Sequence, residues 1–449
     1  MSKTIKINKG LDIKLFGESQ KIITSVDSKK YALKPTDFNA VFPKLLVKEG
    51  DEVKAGTKVF FDKYRNNIVF TSPVSGKITE IVRGPKRVLQ EIRIDSHPEI
   101  SYIDFGVGNP NDLKREEIIK KLLESGVWPM IRQRPYSIIA DPDDNPKAIF
   151  ISAFDSAPLA PDYDLIVHGK GDVFQTGLDA LIKLTNGKVH LNLNKSNIVS
   201  KVFSKSKGVQ INYFEGPHPT GNVSTQINKI DPINKGDVIW YVNPQDILTI
   251  GRLFLEGKYN ASKILALTGS EVKNPKYFKT TSCCCISELV KNNVKEGNLR
   301  YISGNVLSGT QIKSDGYVGF YDSQITVIPE GDYYEFFGWA FPGLHKFSFY
   351  RSFISWMTPK KKYRLDTNIH GGERAFVMTG QFEKVFPLDI YPMQLIKAIM
   401  VEDIDQMENL GIFEVDEEDF ALCEYISTSK IEIQSIVRQG LDLMRKEMS

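Results

Sequence analysis

The hydrophobic rhythm of the chain changes along its length. From Met1 to about Ile100, short apolar runs of strand length are broken by Gly, Pro, Asn and Asp turns, which predicts a small all-β unit. After a polar stretch at 101–111, the segment Asp112-Leu-Lys-Arg-Glu-Glu-Ile-Ile-Lys-Lys-Leu-Leu-Glu-Ser-Gly126 spaces its apolar residues helically, with Asp112 as N-cap and Gly126 as stop. Between about Ala148 and Gly257, the strand-like runs Ala148–Ser152, Leu165–His168, Lys188–Leu193 and Val209–Tyr213 alternate with candidate helices at 172–186, 222–229 and 244–257. Such alternation predicts an α/β unit with a partly parallel sheet. Lys263 to Gly331 reads as β-rich with one helix near Ile286–Val294, and Glu335 to Arg374 is irregular and aromatic. Beyond Pro387 the pattern turns helical: acidic Glu414-Val-Asp-Glu-Glu-Asp419 leads into a helix, and a last amphipathic helix runs through Ile431–Glu447.

Composition narrows this picture. A chain of 449 residues exceeds one ordinary core, so two to four domains are expected. Hydrophobic content of 41% and charged content of 25% predict a chain folded throughout. The net charge of +3 creates no global field toward nucleic acid or lipid. No secretory signal opens the sequence, and no run of about 18 apolar residues appears, so any work at a membrane is done by docking. Of four cysteines, three are adjacent, Cys283, Cys284 and Cys285. That is no disulfide framework, and it predicts a reducing compartment on the cytoplasmic side.

Within the first unit, Val47-Lys-Glu-Gly-Asp-Glu-Val-Lys-Ala-Gly-Thr-Lys-Val-Phe60 places turn glycines at 50 and 56, and Thr71-Ser-Pro-Val-Ser-Gly-Lys-Ile-Thr-Glu-Ile-Val82 adds another turn and strand. The pair resembles the barrel-sandwich hybrid of biotinyl and lipoyl carriers, whose tight corners need glycine. A carrier lysine would fall in Phe61–Asn67 at Lys63, but the hairpin spacing departs from the carrier pattern, and a solvated turn lysine is the reading preferred.

The α/β region raises the question of a nucleotide. No Gly-x-Gly-x-x-Gly follows a strand, since Gly169-Lys-Gly-Asp-Val-Phe-Gln-Thr-Gly177 has its third glycine too far along, and no Walker-type loop is present. The loop Glu215-Gly-Pro-His-Pro-Thr-Gly-Asn222 stands where α/β sheets hold ligands. Gly216 and Gly221 would allow close backbone approach, Pro217 and Pro219 would stiffen it, and His218 would donate a hydrogen bond or relay a proton. A rigid turn that merely fixes the helix entry is the reading preferred, since His218 has no carboxylate partner nearby in sequence. Adjacent cysteines converge poorly on a metal, so Cys283–Cys285 read as buried small hydrophobes. The other histidines, 97, 168, 190, 345 and 370, lack ligand spacing, and Leu307-Ser-Gly-Thr310 lacks the alanine of a flavin-acceptor Ser-Gly-Ala-Thr. No catalytic, cofactor-binding or metal residue is assigned.

Two surfaces remain. Phe336-Phe-Gly-Trp-Ala-Phe-Pro-Gly343, Phe347–Tyr350 and Phe353–Met357 are crowded with aromatics, and Pro359-Lys-Lys-Lys-Tyr-Arg364 follows. They read either as a headgroup-level or partner-docking surface or as core beside a solvated loop. Ile369-His-Gly-Gly-Glu-Arg-Ala375 forms a glycine turn at Gly372, with Arg374 placed to pair with a carboxylate or carbonyl.

A full-length ordered series then carries a resemblance: Lys9-Gly-Leu-Asp-Ile13, Thr71–Gly76, Arg83-Gly-Pro-Lys-Arg87, Phe174-Gln-Thr-Gly-Leu178, Gly187-Lys-Val-His190, Gly216-Pro-His-Pro219, Gln245-Asp246, Ile302-Ser-Gly304, Glu335-Phe-Phe-Gly-Trp339, Gly372-Glu-Arg-Ala375, Pro387-Leu-Asp-Ile390 and Asp416–Cys423. Together they resemble the A subunit of the bacterial sodium-translocating NADH:quinone reductase, itself similar to the C subunit of Rnf complexes. The resemblance implies a peripheral component on the cytoplasmic side of the inner membrane, in a six-subunit translocase that oxidises NADH, reduces quinone and exports sodium. It implies no cofactor on this chain, with FAD, FMN, riboflavin and iron–sulfur on other subunits, quinone as a possible ligand, and the membrane-embedded B subunit as chief partner.

The implied fold is multidomain α+β and α/β. Residues 1–100 form a barrel-sandwich-hybrid-like domain, 101–260 a Rossmann-like domain without a nucleotide loop, 261–331 a β-grasp-like soluble-ligand-binding module, and 332–449 the aromatic segment and a helical domain. The family tends to carry histidines where this chain has Gln226 and Asn228, which weakens a proton relay in that loop. The alternatives are an autonomous NADH-oxidising Rnf-type subunit, which needs a glycine loop and Cys-x-x-Cys series that are absent, and a carrier modified at Lys63.

Overall fold

The structure is a computed structural model that describes residues 4–196 and 199–448. Near the N-terminus, a four-stranded sheet (Lys30–Leu33, Leu89–Ser96, Gly76–Arg83, Glu52–Val53) faces a three-stranded one (Pro43–Leu45, Lys58–Asp62, Val69–Thr71). Phe60 and Phe70 stack at 4.3 Å between them. Gly50 and Gly56 take φ values of +94° and +96° at the corners, the left-handed conformation expected there. Two strands of the first hundred residues leave this unit: Thr4–Lys6 joins the α/β sheet and Gln20–Ser25 joins the sheet of residues 262–329.

The α/β sheet has seven strands in the order Thr4–Lys6, Gln210–Glu215, Lys188–Asn194, Ala148–Ser152, Ile239–Tyr241, Arg132–Arg134, Ile138–Ile139. The first five run parallel, and the last two pairings are antiparallel. The chain steps outward from Ala148–Ser152 through Lys188–Asn194 to Gln210–Glu215, then crosses back to Ile239–Tyr241 on the other side. The order therefore reverses between Ala148–Ser152 and Ile239–Tyr241.

Side chains alternate across these strands, and the alternation feeds two separate cores. Ile149, Ile151, Trp240 and Val242 pack with the helices Gly171–Ile182 and Pro244–Glu256. Ala148, Phe150, Ile239 and Tyr241 pack instead with the C-terminal helices Pro392–Met400, Ala421–Ile426 and Ile433–Met448. The first core continues into the barrel-sandwich unit and into a mixed six-stranded sheet, ordered Thr310–Ile312, Leu299–Ser303, Gln324–Pro329, Ser262–Thr268, Lys276–Thr281, Gln20–Ser25.

Several expected elements need correction. Leu165–His168 is not a strand; it falls at the end of the helical turn Tyr163–Val167, capped where the Leu165 N–H donates to Asp162 at 3.2 Å. A four-residue apolar run is too short for periodicity to separate the two states. The first helix is Arg115–Glu124 with N-cap Lys114 rather than Asp112, because Pro110–Asp112 closes a separate 3-10 turn and Glu117 accepts the Lys114 N–H at 2.8 Å. The helix near Ile286–Val294 shrinks to Ser287–Val290, since Asn292 turns at φ +56° and Val294 bridges to Val272.

Gly177 and Gly251 let the two helices of the first core touch backbone to backbone: a Cβ at Gly251 would lie 1.9 Å from the Val173 carbonyl oxygen, and one at Gly177 2.3 Å from that of Ile247. Gly251→Ala is expected to lower stability by about 1–3 kcal/mol through overpacking. Gly171→Ala, where nothing lies within 4 Å, should change little. Urea unfolding of both variants checks the difference.

Candidate functional site

At the point where the strand order reverses, the carboxyl ends of the parallel strands open onto a cavity of about 120 Å³. Ser152 and Asp155 follow one strand, Tyr241 and Asn243 end another, and His218 and Gly221 come from the loop after Gln210–Glu215. Asn305 and Ser308 of the third sheet region and Glu418 of the C-terminal region close it. Open α/β sheets place ligands at such a reversal.

The His218 loop is held from both sides. The His218 N–H donates to Asp12 Oδ1 at 3.0 Å, and the Leu11 N–H donates to the His218 carbonyl at 2.8 Å. Gly10, at φ +148°, lies so close that a Cβ would stand 2.1 Å from that carbonyl oxygen. The Ser156 hydroxyl accepts the Gly221 N–H at 2.8 Å and lies 3.0 Å from His218 Nδ1. When Ser156, which accepts from Gly221, gives its hydroxyl hydrogen to Nδ1, His218 is the tautomer with Nε2–H. Burial pushes the His218 pKa down to about 4, so the ring is a neutral donor at physiological pH.

Beneath the loop, buried amides form a chain. Gln226 donates to Ser152 Oγ (2.7 Å) and to the Thr220 carbonyl (3.2 Å), and accepts from Asn192 (2.8 Å), whose Oδ1 accepts from Asn212 (2.9 Å). Asn212 also contacts His190 Nδ1 at 3.3 Å, and His190, stacked on Phe150, is pushed to about 4 by burial. Amides hold geometry but do not titrate, so this chain positions the loop and carries no proton. Asn228 donates to Glu414 at 3.0 Å, tying the same helix to the C-terminal region.

Arg132 lines the other wall, and Arg134 follows two residues along the same strand without reaching the cavity. The Arg132 guanidinium lies 4.5 Å from the Tyr241 ring centre and 4.2 Å from that of Tyr321. Its hydrogen bond is a long one, 3.5 Å to Asn243. Arg134, fully buried, pairs with Asp416 and, at 3.1 Å, with Glu418. Arg438 bonds Glu417 at 3.0 Å. Burial pushes Glu417 up to about 8 and Glu418 up to about 7, with the neighbouring Asp416 charge adding to both. Burial also opposes the charge of Asp416, yet Arg134, a hydrogen bond from Glu417 and then Arg438 hold it below the usual carboxylate range.

Among the residues singled out in the sequence, His218 and Gly221 line the cavity, and Gly216, Pro217 and Pro219 shape their loop. Gly372 and Arg374 are exposed and line no part of it; Arg374 donates its backbone N–H to Ser429. Lys63 is exposed at a hairpin tip, its ammonium 5.0 Å from the Tyr64 ring centre. Cys283, Cys284, Cys285 and Cys423 are all buried. Burial raises Cys283 and Cys284 to about 12, far from a ligating thiolate. Among the described residues, no group of three or more His, Cys, Asp or Glu side chains is placed to hold a metal ion. Sequence reasoning did not find Asp12, Arg132, Arg134 or Glu418. Two arginines inside the apolar run Trp128-Pro-Met-Ile-Arg-Gln-Arg-Pro135 were the available signal.

Fold and cavity define a multidomain α+β protein whose α/β crevice is closed by its neighbouring units. Three family models match it: "NqrA N-terminal barrel-sandwich hybrid domain" over residues 5–97, "NqrA second alpha/beta domain" over 113–259 and "NQRA C-terminal domain" over 264–314. The A subunit of the Na(+)-translocating NADH-quinone reductase of Yersinia pestis bv. Antiqua (strain Angola) is 38% identical over 99% of this chain and 100% of its own length. That of Vibrio atlanticus is 37% identical over the same shares. The chain belongs to this family, the A subunits of Na⁺-translocating NADH-quinone reductases, and is a component of that translocase. A chain of an NAD⁺-reducing [NiFe]-hydrogenase aligns at a TM-score of 0.36 and 11% identity, over 51% of this chain and 52% of that one, too slight a likeness to bear on fold or activity.

The carboxylate cluster makes the C-terminal contact pH-dependent. Glu417 and Glu418 are raised, so their contribution is complete below the unfolded carboxylate range and is lost as pH rises through about 7–8. Asp416 is lowered, so its contribution is present above that range and is lost in acid. Urea midpoints are expected to peak near about pH 4, in the unfolded carboxylate range, and to fall on both sides. Arg134→Ala leaves buried carboxylates uncompensated and should cost about 3–5 kcal/mol. Measuring the same pH series on that variant tests whether the acid limb flattens.

Proposed function

We propose that this chain is a peripheral component on the cytoplasmic side of the bacterial inner membrane, holding no redox cofactor of its own, with its His218 loop next to the quinone. The observation that carries this reading is the size and lining of the cavity. About 120 Å³ is well below the roughly 300–1,000 Å³ of sites that enclose a drug-sized ligand. This cavity is too small to enclose a flavin or a nicotinamide dinucleotide, whereas it suits one wall of a quinone headgroup site. The neutral Nε2–H of His218 and the Arg132 guanidinium are donors suited to quinone carbonyl oxygens, and no glycine phosphate loop competes. Electrons then travel through FAD, FMN, riboflavin and iron–sulfur centres on the other subunits, and the membrane-embedded B subunit is the principal partner.

The same reading covers the domains. Numbered from Ala148–Ser152, the parallel strands follow the order 3-2-1-4, which supports a Rossmann-like unit within 101–260. Residues 1–100 are the carrier-like unit apart from the strands Thr4–Lys6 and Gln20–Ser25, 261–331 the β-grasp-like module, and 332–449 the aromatic and helical region that covers the second face of the sheet.

The purified chain is expected to be colourless, with an intact mass equal to its sequence, including at Lys63. In the assembled reductase, His218→Ala should raise the KM for quinone roughly five- to tenfold, the cost of one lost hydrogen bond, while NADH oxidation by an artificial electron acceptor stays unchanged. A flavin bound stoichiometrically to the isolated chain, or an unaltered quinone KM, would overturn the proposal.

A further inference from the structure

Between Tyr333 and Lys362 the chain turns its aromatic residues in two directions. One set is anchored: the Phe347 ring centre is 5.4 Å from that of Tyr363 and 6.2 Å from that of Tyr425, and the Tyr350 hydroxyl donates to the Ile426 carbonyl at 2.9 Å. The other set stands in solvent, with Phe336 84%, Trp339 81% and Trp356 51% exposed, beside Phe341 and Met357. Large apolar side chains grouped on one surface mark an interaction site.

Charge selects the occupant. This stretch holds five Lys or Arg and one acid, and that acid, Glu335, is already paired with Lys346. Lys362 pairs with Glu18 outside it, which leaves Arg351, Lys360 and Lys361 with no carboxylate partner among the described residues. Exposed tryptophans with uncompensated cations match the headgroup layer of an anionic bilayer, where indole rings partition and basic side chains meet lipid phosphates. Backbone limits the depth. Apart from the 3-10 turn Ile354–Met357 the segment has no regular structure, so its amides need the water of the headgroup layer and cannot enter hydrocarbon.

We propose that the segment 333–362 is a lipid-docking surface that seats Trp339, Trp356 and their neighbouring rings among anionic phospholipid headgroups. It extends the peripheral placement proposed above and rests on that reading. No helix among the described residues is long and apolar enough to cross a membrane, so a surface of this kind gives the chain its own hold beside its protein contacts.

Tryptophan fluorescence isolates the event. The chain has four tryptophans, and Trp128 and Trp240 are fully buried, so a shift on adding vesicles reports Trp339 and Trp356. The full-length chain is expected to co-float with phosphatidylcholine vesicles containing phosphatidylglycerol, with blue-shifted emission and binding that weakens as salt rises. Lys360→Gln and Lys361→Gln should each weaken it roughly fivefold. A Trp339→Ser, Trp356→Ser double variant should lose flotation while unfolding at the unchanged urea midpoint. Absence of flotation at low salt would overturn the proposal, as would binding undiminished in the double variant. So would a photoreactive residue at position 339 that, in the assembled reductase, links to another protein component and never to lipid. None of these outcomes touches the quinone KM that tests the function proposed above.

Discussion

The architecture rests on the two-sided burial of the strands Ala148–Ser152 and Ile239–Tyr241. Their odd and even residues enter different cores, one shared with the helices Gly171–Ile182 and Pro244–Glu256, the other with the C-terminal helices. Phe150 and Tyr241 would face water without those helices, and each such side chain is worth about 1.5–3 kcal/mol when buried. The C-terminal region therefore belongs to the α/β unit energetically, although the acidic turn at Asp416 lies far beyond Tyr241 in sequence. Parallel sheets need cover on both faces. Here the last part of the chain supplies the second cover.

That constraint determines what the crevice becomes. Docking the C-terminal helices on the second face brings Asp416–Asp419 to the carboxyl ends of the strands, beside Arg134. A fully buried arginine is tolerable only with hydrogen-bonded counter-charge, and two carboxylates provide it. The same approach puts Glu418 and Ala421 into the cavity wall. Covering the sheet and narrowing its crevice are one event, and the neutral His218, Arg132 and Glu418 are among the groups that remain facing the space.

Much of the architecture was legible in the sequence. Alternation of strand and helix patterns gave the α/β unit, because strands buried on both faces read as continuous apolar runs, and paired turn glycines gave the barrel-sandwich corners. What escaped detection depended on contacts between distant residues. Leu165–His168 carries too few apolar residues to distinguish a helical turn from a strand, and Asp162 decided it. Gly10 looks like an ordinary turn residue until the His218 carbonyl is found against it. Asp416–Asp419 reads as a helix-start signal, which its capping box confirms, but local pattern cannot reveal that Arg134 lies opposite. The histidine of the site was visible because glycine and proline flank it; its arginines were visible only as charges in an apolar neighbourhood.

The aromatic residues between 333 and 357 show why composition alone leaves two readings open. Both were true of different side chains: Phe347 packs inward on Tyr363 and Tyr425, while Phe336 and Trp339 face outward. An irregular segment has no period of 2 or 3.6 to assign its faces, so only three-dimensional placement divides them. The division has a physical logic. Inward rings fix the segment to the helical region, and rigid anchoring lowers the entropy that the outward rings must lose on docking. The closed crevice and the outward aromatic surface are thus separate features of the chain, the first set by burial on both faces of the sheet and the second by side chains that the helical region leaves uncovered.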